Sequence, residues 1–533
     1  MPAIEFPPID IPAHPAAAPV PIMPIETGEY DYIVVGAGAA GSIVAAKAAA
    51  AGYQVLLVDI GTAVPASDED AWDPTRWYKM LANPDFEMGF HSTPQANLVN
   101  TDLAPGRVAQ MLQSRGLGGC QLHNAMVYVR GGRSTYDHWA RQGCAGWDYE
   151  SLVPHFKEIE RTLGIVTAEQ DEFSQSFLDA YERLGLPYNG SYNTGPSEYG
   201  AVPFQFTIEK TADGRLRRTT SFEKFVGAAE LPTLTIATGV YVRRFFTDDD
   251  GRGIEYNSPA GEHMRVYARR EVILSAGAIV SPAILLRSGI GPADALSDCG
   301  IPLLHDLPQV GRNFYDDLGC GFPVLVKSPL PDTPYGFVGA GVFACESGSA
   351  PSDPPAFGEI NLEVQISTSK LPGAPDSYGI RYCLIGCSAM HLASRGTVEL
   401  DPRKPFGRPI VNPMWLTAEG DMDRCLAAMK LAHDIASDPA LIEQWDWWVP
   451  PEELVVCEEW VRLSGTTVQH YVGSCQMGPD AGTSVVGPDL RVHGVPNLRV
   501  IDASVAPTPV TGNTAGVAMV IGAKGAELLL NGD

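Results

Sequence analysis

The stretch YDYIVVGAGAAGSIVAAKAAAAGYQVLLVD, Tyr30 to Asp59, decides the fold of this 533-residue chain. YDYIVV is a short apolar run that reads as a strand, SIVAAKAAAAGY is a strong helix former, and QVLLVD reads as a second strand. Between the first strand and the helix lies GAGAAG, Gly36 to Gly41. In a G-x-G-x-x-G of that context, Gly36 and Gly38 permit a tight turn and close approach of a pyrophosphate, and Gly41 lets the helix pack against the sheet. The helix N-terminus then faces the phosphates. Asp59 ends the second strand about 20 residues on, where an acidic side chain can bind the adenosine ribose hydroxyls. The predicted class is α/β, with a Rossmann-like dinucleotide-binding domain. By itself this motif does not separate NAD from FAD.

Around this unit the chain is long enough for two interlocked domains and a large buried cofactor. Its 37 basic and 63 acidic residues leave a formal charge of -26, which repels nucleic acid and anionic lipid. No apolar run approaches the roughly 18 residues of a spanning helix, so no membrane partner is expected. Ten scattered cysteines with no CxxC pair and no metal-ligand spacing read as reduced thiols of a cytoplasmic chain without a metal. Residues 1–28, rich in Pro and Ala and without Lys or Arg, read as an extended arm. Disorder and a subunit contact in a homo-oligomer are both open to it.

A second glycine loop, GLGGCQLHN from Gly116 to Asn124, places Gly118 and Gly119 just ahead of Cys120, His123 and Asn124. Such a loop offers backbone with little side-chain bulk, suited to a flavin ring or a pyrophosphate. Near the C-terminus, LRVIDASV is a strand ending in Asp502, and TGNTAG, with Asn513 and Thr514, opens a helix whose positive end can face a developing anion.

These segments resemble the glucose-methanol-choline (GMC) oxidoreductases. SRGLGGCQLHNAMVYVRGGRSTYDHWARQGCAGW and GAIVSPAILLRSGIG (Gly277 to Gly291) match that family's two signature segments. SRGTVELDPRKPFGRPIVNPMWL, HYVGSCQMG and the C-terminal LRVIDASVAPTPVTGNTAGVAMVIGAKGAELL extend the likeness over nearly the whole chain beyond the arm. The resemblance implies FAD as cofactor and alcohol oxidation as the reaction: loss of the hydroxyl proton and transfer of a hydride from the carbinol carbon to flavin N5. It assigns His470 as the base, a role suited to a neutral imidazole at pH 7, and Asn513 as the amide that binds the substrate oxygen. His391, by its distance to SRG, falls on a further active-site histidine. Val242 falls where a strand's backbone meets the adenine, and Trp77 where an aromatic residue lines the substrate cavity.

The first signature departs from the family's usual residues at Cys120, Gln121 and His123. The last departure is shared with the choline-oxidising branch, where a histidine at this point is bonded to the flavin 8α-methyl carbon, so the resemblance makes His123 a candidate for the same link. That branch is expected to hold the substrate ammonium near a glutamate, and here Gly339 takes its place. Glu359 and Glu363, in the strand-like GEINLEVQ, read as surface or core-edge residues.

The expected reaction is oxidation of a primary alcohol to the aldehyde, with onward oxidation to the acid as an extension and O2 as acceptor giving H2O2. The alternatives are a dehydrogenase using a quinone or dye, and a lyase or photodecarboxylase on the same fold. By analogy with the family, the FAD domain combines residues 29–161, 200–327 and 466–533. Residues 162–199 and 328–465 form an interleaved sheet-plus-helix substrate domain, with DMDRCLAAMKLAHDIA (Asp421 to Ala436) as a scaffold helix.

Overall fold

The computed structural model describes residues 30–81, 83–100, 105–330, 335, 337–369, 380–446 and 449–532. The arm expected over 1–28 lies outside the described residues. The opening stretch folds as its pattern predicts: strand Tyr30–Val35, helix Ala39–Ala50, strand Val55–Val58. Every residue of the second strand is buried, as a continuous apolar run in a parallel sheet should be.

These strands sit in a seven-stranded sheet. Leu234–Ala237, Val55–Val58, Tyr30–Val35, His263–Leu274 and Leu498–Val500 run parallel, and Gly251–Asn257 and Tyr241–Asp248 extend one side antiparallel. Four of the parallel strands deliver a turn or a polar group just past their carboxyl ends: Val35 to Gly36, Val58 to Asp59, Leu274 to Ser275, and Val500 to Asp502. That edge is where open α/β sheets bind their ligands.

A second sheet of six antiparallel strands runs in the order Thr466–Thr467, Leu318–Leu330, Ile380–Ala389, Leu362–Ser369, Phe337–Ala344, Gly200–Pro203. Helix Asp421–Ala436 packs across three of these strands, as expected of scaffold. Sheet membership does not follow the segment boundaries read from the sequence. Gly200–Pro203, Thr466–Thr467 and all but the last three residues of Leu318–Leu330 lie in segments assigned to the cofactor domain, yet these strands pair in the second sheet. The reason is that antiparallel partners here are brought together from distant parts of the chain, which local pattern does not reveal.

The pocket-facing side of this sheet is stripped of bulk. Gly319 and Gly321 pair with Ser388 and Gly386, and together with Gln365 and Ser367 they line one large cavity. The sheet therefore roofs that cavity while the carboxyl edge of the first sheet floors it.

Candidate active site

The cavity encloses about 690 Å³ and is bounded by the elements singled out by sequence: Gly36, Gly38, Asp59, Gly119, His123, Asn124, Val242, His470, Asp502, Asn513 and Thr514 all line it, as does Trp77. The two glycine loops meet face to face. Gly119 has φ +55°, and a Cβ there would lie 2.7 Å from Gly38 Cα, so a side chain at Gly119 would push the two loops apart. Gly36 has φ +104°, and its Cβ would lie 2.3 Å from the Ser275 carbonyl oxygen. Gly41 and Gly118 do not line the cavity; Gly41 lets helix Ala39–Ala50 press on the strand below, and Gly118 packs on Leu122.

Asp59 is tied more firmly than a ribose ligand needs to be. Its Oδ2 accepts from the Ala37 amide at 2.8 Å, and its Oδ1 accepts from Gly61 at 2.8 Å and Gly116 at 3.1 Å. One carboxylate thus braces both glycine loops. Burial pushes its pKa up to about 6, against the pull of those three amides. Asp502 does the same at the next strand, accepting from the Gly277 amide at 2.9 Å, Ser281 Oγ at 2.6 Å and the Ser504 amide at 2.9 Å.

Two helices open onto the cavity without a capping side chain. Ala39–Ala50 begins at Gly38, and Ala515–Asn531 begins at Thr514, each with no acidic residue in its first turn. Their first amides carry the positive end of the helix dipole toward the cavity and have no intrahelical acceptor. A glycine cradle, two uncapped helix ends and the buried, unpartnered Oδ1 of Asn513 fit an anionic dinucleotide bearing a ring that accepts negative charge.

A buried cluster of polar side chains centres on His470. The preceding Gln469 has φ +67°, an uncommon conformation for a side-chain-bearing residue, and its amide donates to Thr467 Oγ1 at 2.9 Å. The ring is buried, with Nδ1 2.9 Å from Asp317 Oδ2 and Nε2 3.1 Å from Asn513 Nδ2. An ionised carboxylate only accepts, so Nδ1 carries the proton and Nε2 presents a lone pair to the Asn513 amide. Asp316 holds the backbone of the same residue, its Oδ1 accepting from the His470 amide at 2.9 Å. Asp317 is itself fixed by a hydrogen bond from the Tyr315 hydroxyl. Burial works against the imidazolium, but Asp317, with Glu363 and Asp316 behind it, outweighs burial and raises the His470 pKa above the ordinary histidine value.

The comparisons with known proteins place the chain in a family. The GMC oxidoreductase models match residues 30–318 and 393–522, the N-terminal and C-terminal parts of the family respectively. The chain belongs to the GMC oxidoreductases. Members of this family bind FAD, and the relatives act on alcohols. Choline oxidase of Arthrobacter globiformis is 32% identical over 94% of this chain and 94% of its own length. Pyridoxine 4-oxidase of Microbacterium luteolum is 30% identical over 91% of this chain and 96% of its own. The crystal structure of pyridoxine 4-oxidase from Mesorbium loti superposes with a TM-score of 0.80 at 27% identity, covering 94% of this chain and 99% of that one. In this GMC member, His470 and Asn513 both line the cavity.

Three sequence readings meet a different geometry. His391 does not line the cavity. It packs behind the loop that carries Asn513, with Nε2 3.2 Å from Thr511 Oγ1, and burial with the nearby Arg424 and Arg395 lowers its pKa to about 3. Distance to the SRG motif locates a residue along the chain but not the side of a loop its ring faces. Gly339 is also remote: a Cβ there would meet Ala168, Gln170 and Glu169 rather than the cavity, so a carboxylate at that position would not face substrate. Glu363 is neither surface nor core edge. It is fully buried, its Oε1 accepts from Gln365 Nε2 at 2.8 Å, and its Oε2 has no partner among the described residues. Burial pushes its pKa up to about 7. Glu359, by contrast, holds a surface turn through Ser352 and Ala356.

Sequence reasoning missed Asp316 and Asp317. Their signal was two adjacent acids in NFYDDLGC, directly before an apolar strand, where lone buried acids are rare. It also missed Arg218, buried and donating to the Gln121 carbonyl at 2.6 Å and to Asn124 Oδ1 at 2.7 Å, which holds the turn that carries His123.

Proposed function

We propose that this GMC enzyme is an FAD-dependent oxidase of a primary alcohol, giving the aldehyde and passing the electrons to O2 as H2O2. The observation that carries the reading is the buried chain Asp317, His470, Asn513 at the mouth of an uncapped helix N-terminus. An alcohol hydroxyl entering between His470 Nε2 and Asn513 Nδ2 donates its proton to the imidazole and accepts from the amide. Asp317 keeps the ring in the tautomer that can take that proton and stabilises the imidazolium that results. The bound flavin supplies the hydride acceptor. The small residues roofing the cavity leave room for the substrate, and Trp77, Leu384, Gln365 and Ser367 set its shape. This lining suits an apolar or aromatic alcohol, including benzylic and furanic ones, with a polar group able to meet Gln365.

We further read His123 as the residue that bonds the flavin 8α-methyl carbon. It is buried, it lines the cavity, and burial together with Arg218 lowers its pKa to about 3, so the ring stays neutral and nucleophilic. We take the first sheet as the core of an FAD domain and the second as the core of a roofing substrate domain, with strands crossing the segment boundaries read from the sequence.

The test is anaerobic mixing with a panel of primary alcohols while following the visible flavin band, then admission of air. Bleaching followed by rapid recovery with peroxide formation supports the oxidase. Bleaching with recovery only when a quinone or dye is added makes the protein a dehydrogenase, and no bleaching of fully loaded flavin returns the lyase or photoenzyme reading.

A further inference from the structure

Next to His123, and not among the residues that line the cavity, lies a carboxylate that the proposed alcohol oxidation does not use. Glu87 sits in the turn after Phe86, and only 9% of it is exposed. One of its oxygens is anchored: Oε1 accepts from the Gly89 amide at 3.1 Å and the Gln113 amide at 3.0 Å. The other, Oε2, is buried without a hydrogen-bond partner and stands 3.7 Å from His123 Nδ1. Native structures rarely leave a buried carboxylate oxygen idle. Among the described residues, the imidazole is the side chain within ion-pair distance of it, at a separation that catalytic pairs often show before their ligand is in place.

We propose that Glu87 is the positioning residue for attachment of the flavin, orienting His123 and accepting its Nδ1 proton. This rests on the reading of His123 as the attachment point. An imidazole's two nitrogens point to opposite edges of the ring, so a carboxylate at Nδ1 fixes the proton there and leaves the Nε2 lone pair for the cavity. In the attachment step one C–H bond of the 8α-methyl group breaks and a C–N bond to Nε2 forms. The electron pair of the broken bond leaves through the flavin to O2. The methyl proton and the Nδ1 proton, the latter by way of Glu87, leave with it as H2O2. The net change is one methyl group, one imidazole N–H and one O2 converted to a methylene-linked imidazole and H2O2. Burial pushes the Glu87 pKa up to about 7, which suits a carboxylate that must take a proton and release it near neutral pH. Arg115 acts on Glu87 in the opposite sense, favouring its charged form.

The experiment compares intact masses and acid precipitates of purified holoenzyme from wild type, His123→Ala, Glu87→Gln and Glu87→Asp. Wild type is expected to carry the flavin mass and give a yellow pellet, and His123→Ala to release all flavin. Glu87→Gln presents an amide N–H to Nδ1, which favours the tautomer with the proton on Nε2. It is expected to bind FAD in a dissociable form, with attachment slowed by about a hundredfold or more. Glu87→Asp, one methylene shorter, is expected to show partial attachment. Full attachment in Glu87→Gln overturns the role of Glu87 while leaving His123 as the link. A wild type with no flavin mass overturns both readings. Should Glu87→Gln fail to fold, Glu87→Asp decides: attachment as complete as in wild type overturns the proposal, and a deficit with normal total flavin supports it.

Discussion

Two buried imidazoles line one cavity, and their electrostatics are opposite. His123 is held to a pKa of about 3, whereas His470 is raised above the ordinary value. Both are buried, so desolvation lowers both, and the difference lies in what stands beside each ring. His470 has a carboxylate oxygen 2.9 Å from Nδ1, with Glu363 and Asp316 adding to it. His123 has its carboxylate at 3.7 Å, itself partly neutralised by burial, and a buried guanidinium nearby. A carboxylate held closer by less than an ångström, and the absence of a neighbouring arginine among the causes of its shift, separate a ring whose pKa is raised from one kept neutral. On the function proposed above, the contrast matches each histidine to its work: His470 would take and return a proton each turnover, and His123 would stay a neutral nucleophile.

The most severe way to break this contrast is to remove the proton acceptor. His470→Ala should slow anaerobic flavin reduction by about a hundredfold or more, read by stopped-flow absorbance, with flavin content unchanged. Near-normal reduction would strip His470 of the base role. Asp317→Asn should come next, at roughly tenfold to a hundredfold, because the ring loses both its tautomer lock and its stabilised imidazolium. This variant also has a signature in pH. The base must be neutral to act, so flavin reduction rises with pH through the His470 pKa and levels off above it, and in wild type that limb lies higher than an ordinary histidine would place it. Without the Asp317 charge the limb should move to lower pH even as the plateau falls. An unmoved limb would mean that the carboxylate only holds the ring in place. Asn513→Ala should cost roughly tenfold, the worth of one hydrogen bond to a group gaining charge, and should appear in the reduction step more than in substrate binding.

How much of this was legible in the sequence differs between the two ends of the cavity. The floor is built from local signals. Tyr30 to Asp59 carries strand, glycine turn, helix and second strand in order, and the structure returns each of them. Glycine patterns report close backbone approach directly, as Gly36 and Gly119 show, because no other residue fits there. The roof and the electrostatics are non-local. Asp317 reaches His470 across 153 positions, and Glu87 meets His123 from a turn that holds no motif. Alternation identified GEINLEVQ as a strand, but which face of that strand points inward depends on partners in Ile380–Ala389 and Phe337–Ala344, so Glu363 was placed on the wrong side. His391 lies off the cavity for the same reason, as a position known along the chain whose ring faces Thr511 at the back of a loop.

The finest test of the contrast is Glu363→Gln. The side chain is buried and sits on the same strand face as Gln365 and Ser367, whose side chains alternate toward the cavity. Its carboxylate contributes to raising the His470 pKa, but less than Asp317, which bonds the ring directly. Glutamine keeps the shape and can still pair with Gln365, so packing is preserved while the charge is removed. The acid limb of flavin reduction should therefore move to lower pH by less than in Asp317→Asn, with a plateau within about threefold of wild type. Burial brings the Glu363 pKa itself up to about 7, and its charge and that of His470 act on each other, so the wild-type limb should be broader than a single titration. Sharpening of the limb to a single-proton curve in Glu363→Gln would identify the two groups as one coupled system. A limb unchanged in position and breadth would confine Glu363 to shaping the cavity roof, and would leave Asp317 and Asp316 as the carboxylates that set the base apart from His123.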